Sequence, residues 1–337
     1  MWLNYATGHV RGICGAAALL ALASVGLFLS DVIIAAAACG LLAAGLSAMA
    51  SLSTRARNTK DSVATQTTEQ EGSPQAEGAE LLSSLTQAIV ENKGFTVLYQ
   101  PILNAQNGAI AGAEALVRWH SDDLGMMEPD QFIPLAESSG LLRELSLLIV
   151  DQVALDLARF AAPGFRINVN LSPLQIVDPG FEADMTRALS DHNIAPDRVE
   201  IEVTENAIVP NPDMLPQALT HLKSRGYTIA LDDYGSGFSS LGYLRKGAFD
   251  TLKVDRLLVI DAMKSPQSRA LLEATLTMAR VLNMRTVAEG VETQTQYNIL
   301  AAMGFDMVQG YFCGVAVSME ELSRHWTTQN AQERTRA

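Results

Sequence analysis

Acidic and amide side chains recur in this chain at the ends of short apolar runs, in the phrases Glu114-Ala115-Leu116, Asn170-Leu171-Ser172, Glu202-Val203-Thr204-Glu205, Leu231-Asp232-Asp233, Leu252-Lys253-Val254-Asp255 and Ala288-Glu289-Gly290. Glu114, Asn170, Glu202 and Asp232 are hard oxygen donors of the kind that hold Mg²⁺ or Mn²⁺. Adjacent carboxylates such as Asp232 and Asp233 can serve two cations at once, with one oxygen shared between them. They can equally cap a helix and shape a turn, and both readings stand at this point. Lys253 interrupts an apolar strand, where an unpaired ammonium is costly, so it calls for carboxylate neighbours in a site or in a structural ion pair. Arg118 lies four residues beyond Glu114 on the same pleat and is placed to fork onto phosphate or guanine, or to form a surface salt bridge. Glu289 precedes a glycine and is a loop carboxylate or part of the site. Gln309 closes the last apolar run, within reach of a substrate or a metal-bound water.

The elements that must position these groups follow from hydrophobic period. Strands are predicted over residues 95–101, 110–119, 166–170, 199–204, 227–233, 250–254, 285–289 and 306–309. Helical patterns fill most gaps, as at 141–160, 214–224, 268–282 and 293–303. Eight strands alternating with helices predict a TIM-type (β/α)8 barrel, whose chemistry collects where the strands end. Asn104-Ala105-Gln106-Asn107-Gly108 joins the first two strands as a hairpin, which makes the first strand antiparallel. In Val199-Glu200-Ile201-Glu202-Val203-Thr204 the apolar and polar residues take opposite faces. Ile167-Asn168-Val169-Asn170 and Leu252-Lys253-Val254 repeat that split. One wet edge strand would explain a single case, whereas a polar barrel interior explains all three.

The 337 residues are 48% hydrophobic, ample for a sizeable core, and carry a formal charge of −13. That balance opposes binding to a nucleic-acid polymer, which favours a basic surface. It also means that a phosphate ester meets carboxylates unless cations intervene. Cys14, Cys39 and Cys313 show no metal-ligand spacing and no disulfide framework. Before the barrel, residues 1–12 form a short cytoplasmic segment. Residues 13–50 read as a transmembrane hairpin, with spans at 13–29 and 32–50 turning at Ser30-Asp31. Arg11 before it and Arg55, Arg57 and Lys60 after it place both ends in the cytoplasm. A signal peptide is the rival reading of this stretch. Residues 51–79 are polar enough to be a flexible tether, residues 80–328 form the barrel domain, and 329–337 a tail.

The barrel region resembles the EAL domain, the bacterial phosphodiesterase that opens cyclic di-GMP to linear pGpG. The likeness rests on an ordered series: Tyr99-Gln100-Pro101, Glu114-Ala115-Leu116, Phe132-Ile133-Pro134-Leu135-Ala136-Glu137, Asn170-Leu171-Ser172, Glu202 to Glu205, Asp232-Asp233-Tyr234-Gly235, Lys253 to Asp255, Glu289-Gly290-Val291-Glu292 and Gln309-Gly310-Tyr311. The resemblance implies two Mg²⁺ or Mn²⁺ ions, with Glu114, Asn170, Glu202 and Asp232 as ligands of the first and Asp232 with Asp233 at the second. It implies that Lys253 and Glu289 flank the attacking water, with Glu289 acting as base or holding the second metal through water, and that Gln309 completes the network. Gln100 and Arg118 correspond to substrate contacts. Glu205 corresponds to the glutamate that anchors the loop from Asp233 to Ser240, which links the catalytic site to a homodimer interface.

Two departures from the family pattern are visible. Tyr234 stands where phenylalanine is usual, and Gly310-Tyr311-Phe312-Cys313-Gly314-Val315 lacks the basic residue and proline often found after the last strand. The expected activity is metal-dependent hydrolysis of cyclic di-GMP at the bacterial inner membrane, with the barrel in the cytoplasm. The alternative is a receptor on the same fold that binds the dinucleotide without cutting it.

Overall fold

Alternating apolar and polar residues become strands whose apolar faces turn outward under helices. In the computed structural model, residues 74–336 are described apart from 161, 163, 206–213, 237–243, 245 and 246. The strands are β1 (Phe95–Asn104), β2 (Ile110–Ser121), β3 (Gly125–Met127), β4 (Arg166–Asn170), β5 (Val199–Thr204), β6 (Thr228–Tyr234), β7 (Thr251–Val254), β8 (Arg285–Ala288) and β9 (Met307–Gln309). Eight of them close a ring in the order β1-β9-β8-β7-β6-β5-β4-β2, because β2 also pairs with β1. Pairing is parallel from β2 through β4 and onward to β9, while β1 runs antiparallel to both its neighbours.

The irregular start predicted from the hairpin signal is therefore present. The side chain of Asn104 accepts from the backbone N–H groups of Gln106 and Asn107, and Gly108 N–H donates to its carbonyl at 2.9 Å. One strand had no signal: β3, three residues long, which pairs with the end of β2 outside the ring.

Val199, Ile201 and Val203 of β5, with Ile167, Val169, Ile229, Leu231, Leu252 and Val254, are fully or almost fully buried between the ring and its helices. Each such burial stabilises by about 1.5–3 kcal/mol. The opposite faces carry buried polar groups, as a polar interior requires. At one level Glu200 accepts from Thr251 Oγ1 at 2.7 Å and from Arg285 Nη2 at 2.6 Å. A second cluster lies outside the ring, where the Trp119 ring meets Phe132 edge-on at 5.6 Å and stacks with Phe95 at 6.0 Å. The helix Pro74–Glu91 lays Leu85 and Ile89 into this cluster.

Three expectations change. Residues 74–79, assigned by polarity to the tether, begin that helix, because Ala, Gln, Glu and Leu favour helix and the later Leu85 and Ile89 give it an apolar stripe to bury. The expected tail from 329 instead continues the helix Met319–Arg336. The location as a multi-pass inner-membrane protein is corrected: among the described residues no helix is long and apolar enough to cross a membrane. The spans expected within residues 13–50, and the tether as far as residue 73, lie outside the described residues.

Candidate metal and substrate site

Strand register brings the predicted donors together. Glu114 of β2 lies beside Asn168 of β4, Asn170 beside Glu202 of β5, and Thr204 beside Asp232 of β6. In the middle stands Lys253 of β7, 1% exposed. Its Nζ lies 2.8 Å from Glu202 Oε1, 2.8 Å from Glu289 Oε1, 3.0 Å from Asp232 Oδ1 and 3.3 Å from Glu114 Oε2. The amides knit the cluster further. Asn170 Nδ2 donates to Glu114 Oε1 at 2.8 Å, Asn168 Nδ2 to Glu202 Oε1 at 2.7 Å, and Gln309 Nε2 to Glu114 Oε2 at 2.7 Å and Gln100 Oε1 at 3.2 Å.

Asp233 joins by a local break in β6. Regular pleating sends adjacent side chains to opposite faces. Here the pairing with β7 shifts between Leu231 and Tyr234, and Asp233 adopts φ 56°, the left-handed region that Asp tolerates better than most residues. Carboxylate oxygens of Asp232, Asp233 and Glu289 thereby come within 4.8 Å of one another. Local backbone strain of this kind is concentrated at functional sites.

Four carboxylates thus surround one ammonium, with Asp233 beside two of them. Burial works to lower Lys253, but Glu114, Glu202, Glu289 and Asp232 outweigh it and hold the amine well above its usual range, so it stays charged. Burial also acts to raise Glu114, yet Lys253 and the amides of Gln309 and Asn170 bring it below the ordinary carboxylate value. Glu202 is pushed well above that value, first by burial and then by repulsion from Glu114. Burial raises Glu289 to about 8, and burial with the neighbouring Asp232 raises Asp233 to about 6.

This donor set fits divalent cations. Glu202 Oε2 and Gln309 Oε1 are buried and accept no hydrogen bond, and Asp232 Oδ1, although in ion-pair contact with Lys253, accepts none of good geometry. Buried acceptors without donors are uncommon, and a cation satisfies them. The ligands are all oxygens, as Mg²⁺ and Mn²⁺ prefer.

Two clefts border the cluster. One, of about 300 Å³, is lined by Gln100, Glu114, Glu289 and Gln309 together with Arg256 and Tyr311. The other, of about 380 Å³ and more apolar, is lined by Ile133, Leu142, Asn170, Pro173, Glu202 and Thr204. Leu116 contributes to both walls.

Two of the predicted residues are engaged by other groups. Arg118 lies on the part of β2 beyond its pairing with β4, donates to the Val117 carbonyl at 2.9 Å and stands 3.9 Å from Glu128. Glu205 accepts from Gly235 N–H at 3.0 Å, so it holds the loop after β6. Gln100 lines the first cleft and also donates to the Gly314 carbonyl at 3.2 Å. Sequence reasoning put Asn168 on the polar interior face with Asn170 but did not assign it to the site. It passed over Arg256, which no local pattern marks.

A closed barrel with an antiparallel first strand and an acidic cluster at the carboxyl ends of its strands defines a phosphoesterase-like architecture. The EAL domain model matches residues 82–316, and the chain belongs to that family. It is 34% identical over 249 residues to the bifunctional diguanylate cyclase/cyclic di-GMP phosphodiesterase MucR of Pseudomonas aeruginosa, covering 73% of this chain and 36% of that protein. A cyclic di-GMP phosphodiesterase of the same organism is 33% identical over 244 residues, covering 72% and 42%. The solved MucR phosphodiesterase in complex with cyclic di-GMP superposes with a TM-score of 0.67 at 34% identity, covering 72% of this chain and 99% of that one. The chain spans about a third of the length of the curated relatives it matches.

Proposed function

We propose that residues 80–328 hydrolyse cyclic di-GMP to linear pGpG with two divalent cations, Mg²⁺ or Mn²⁺. The observation that carries this reading is the convergence of oxygen donors, some of them buried without a hydrogen bond, between two clefts that suit the two halves of a dinucleotide. Glu114, Asn170, Glu202 and Asp232 hold one cation, and Asp232 with Asp233 the other. Bound there, the cations supply charge neutralisation and Lewis-acid activation.

The chain's own residues do the rest. Glu289, whose raised basicity suits proton transfer near neutral pH, takes a proton from the attacking water, and Lys253 orients that water by donating a hydrogen bond. Water oxygen bonds to phosphorus, the P–O3′ bond opposite breaks, and the departing oxygen takes a proton from solvent, leaving a 5′-phosphate. Gln309 fixes Glu114, and Gln100 and Arg118 hold substrate. Glu205 steadies the loop from Asp233, through which two copies of the domain pair as a homodimer; a monomer by sedimentation under turnover conditions would remove that last element.

The full chain incubated with cyclic di-GMP and Mg²⁺ or Mn²⁺ is expected to yield pGpG, and none with chelator. Binding of the dinucleotide with no product under any divalent cation would instead make it a receptor.

A further inference from the structure

The cleft beside Gln309 has three carboxylates on its wall, Glu114, Glu289 and Glu292, and one cation, Arg256. Arg256 opens the helix Arg256–Lys264, directly after its cap Asp255. Its aliphatic stem crosses Gly290, where φ is +65° and a Cβ would collide with Arg256 Cβ and Cγ. The guanidinium is therefore carried over the loop that holds Glu289. Its Nη2 is 2.7 Å from Glu292 Oε1, and it makes no other hydrogen bond or ion pair among the described residues. The pair is about half exposed, at 54% and 38%. Tyr311, which lines the same cleft, is 71% exposed, and the loop Gly310-Tyr311-Phe312-Cys313-Gly314-Val315 brings no basic side chain.

We propose that Arg256 reads a guanine base of the substrate, its unengaged N–H groups donating to O6 and N7. The inference rests on the function proposed above. A phosphate at Arg256 would meet Glu292 and a guanidinium already neutralised by it, whereas the edge of a neutral base carries no charge to be repelled. An arginine fork matches the paired acceptors of guanine. Adenine presents an N–H₂ donor in place of O6 and meets the fork donor to donor. The exposed Tyr311 ring offers a face on which a purine stacks. Glu292 positions the fork.

The test compares the full chain with Arg256→Ala and Arg256→Lys, measuring kcat and KM for cyclic di-GMP and cyclic di-AMP. In Arg256→Ala, KM for cyclic di-GMP is expected to rise roughly 10- to 100-fold with kcat changed less than about 2-fold, the pattern of lost binding rather than lost chemistry. The preference for cyclic di-GMP over cyclic di-AMP narrows by the same factor, Arg256→Lys does not restore it, and the melting temperature is unchanged. Unaltered KM and preference in Arg256→Ala, a fall in kcat alone, or full rescue by lysine would each overturn the proposal. If the unmodified chain turns over neither dinucleotide, the proposed function fails. The same variants then decide the inference by calorimetric affinity for cyclic di-GMP: weaker binding in Arg256→Ala upholds it, and equal binding overturns it.

Discussion

Lys253 meets four carboxylates at 2.8–3.3 Å in a buried site, so its charge and theirs are interdependent. Replacing it with Met leaves those carboxylates without their ammonium. The metal-free protein is expected to lose about 3–5 kcal/mol of stability, the usual cost of breaking a buried pair, which denaturant unfolding reads directly. Asp232→Ala removes an oxygen donor proposed for both cations while leaving Lys253 three partners. Hydrolysis is expected to fall by on the order of 4 kcal/mol, roughly 10³-fold, with the fold retained by circular dichroism; sustained metal-dependent turnover would refute the assignment. These residues were legible in sequence because carboxylates and an amine in apolar strands have no bland environment. Arg118 illustrates the limit: parity with Glu114 is a property of a regular strand, whereas the contacts of its guanidinium with the Val117 carbonyl and Glu128 depend on how β2 runs on past its pairing with β4. Arg256 was not legible, since only the fold of the Gly290 loop beneath its stem brings it to the cleft.

At the scale of elements, the end of β6 determines whether two adjacent carboxylates share a site. Sequence suggested Asp232-Asp233 as a pair but did not contain the shifted pairing or the left-handed Asp233 that make it one. Glu205 ties this strand end to the next loop through Gly235 N–H. Glu205→Gln weakens that charge-assisted bond; kcat is expected to fall about 10-fold or more in steady-state assays, with metal affinity nearly unchanged. The strands themselves were readable because period two and β-branched content coincide in Val199 to Thr204 and its counterparts. The helix Pro74–Glu91 was only partly readable, since its first residues match a tether in composition and what fixes it is Leu85 and Ile89 against Trp119, contacts made far away in sequence. Trp119→Ala is therefore expected to cost about 3–5 kcal/mol, measured by thermal or denaturant unfolding.

For the whole molecule, gathering negative charge into one end of a barrel makes stability depend on pH and on cations. Glu289 and Asp233 have folded-state values of about 8 and about 6, above the 4.5 and 3.8 of the unfolded chain. Their protonated forms favour the folded state, so this contribution is fully present below about pH 4 and is lost as pH rises through about 6 and then about 8. Metal-free protein is expected to melt several degrees lower at pH 8.5 than at pH 5.5. Mn²⁺ raises the melting temperature more at the higher pH, where the ligands are ionised.

The central claim is that these oxygens jointly hold two cations, and anomalous diffraction at the manganese edge from crystals grown with Mn²⁺ tests it most directly. Two peaks are expected, one within coordinating distance of Glu114, Asn170, Glu202 and Asp232 and the other beside Asp232 and Asp233. Manganese bound elsewhere, with no peak among these residues at saturating Mn²⁺, would contradict it.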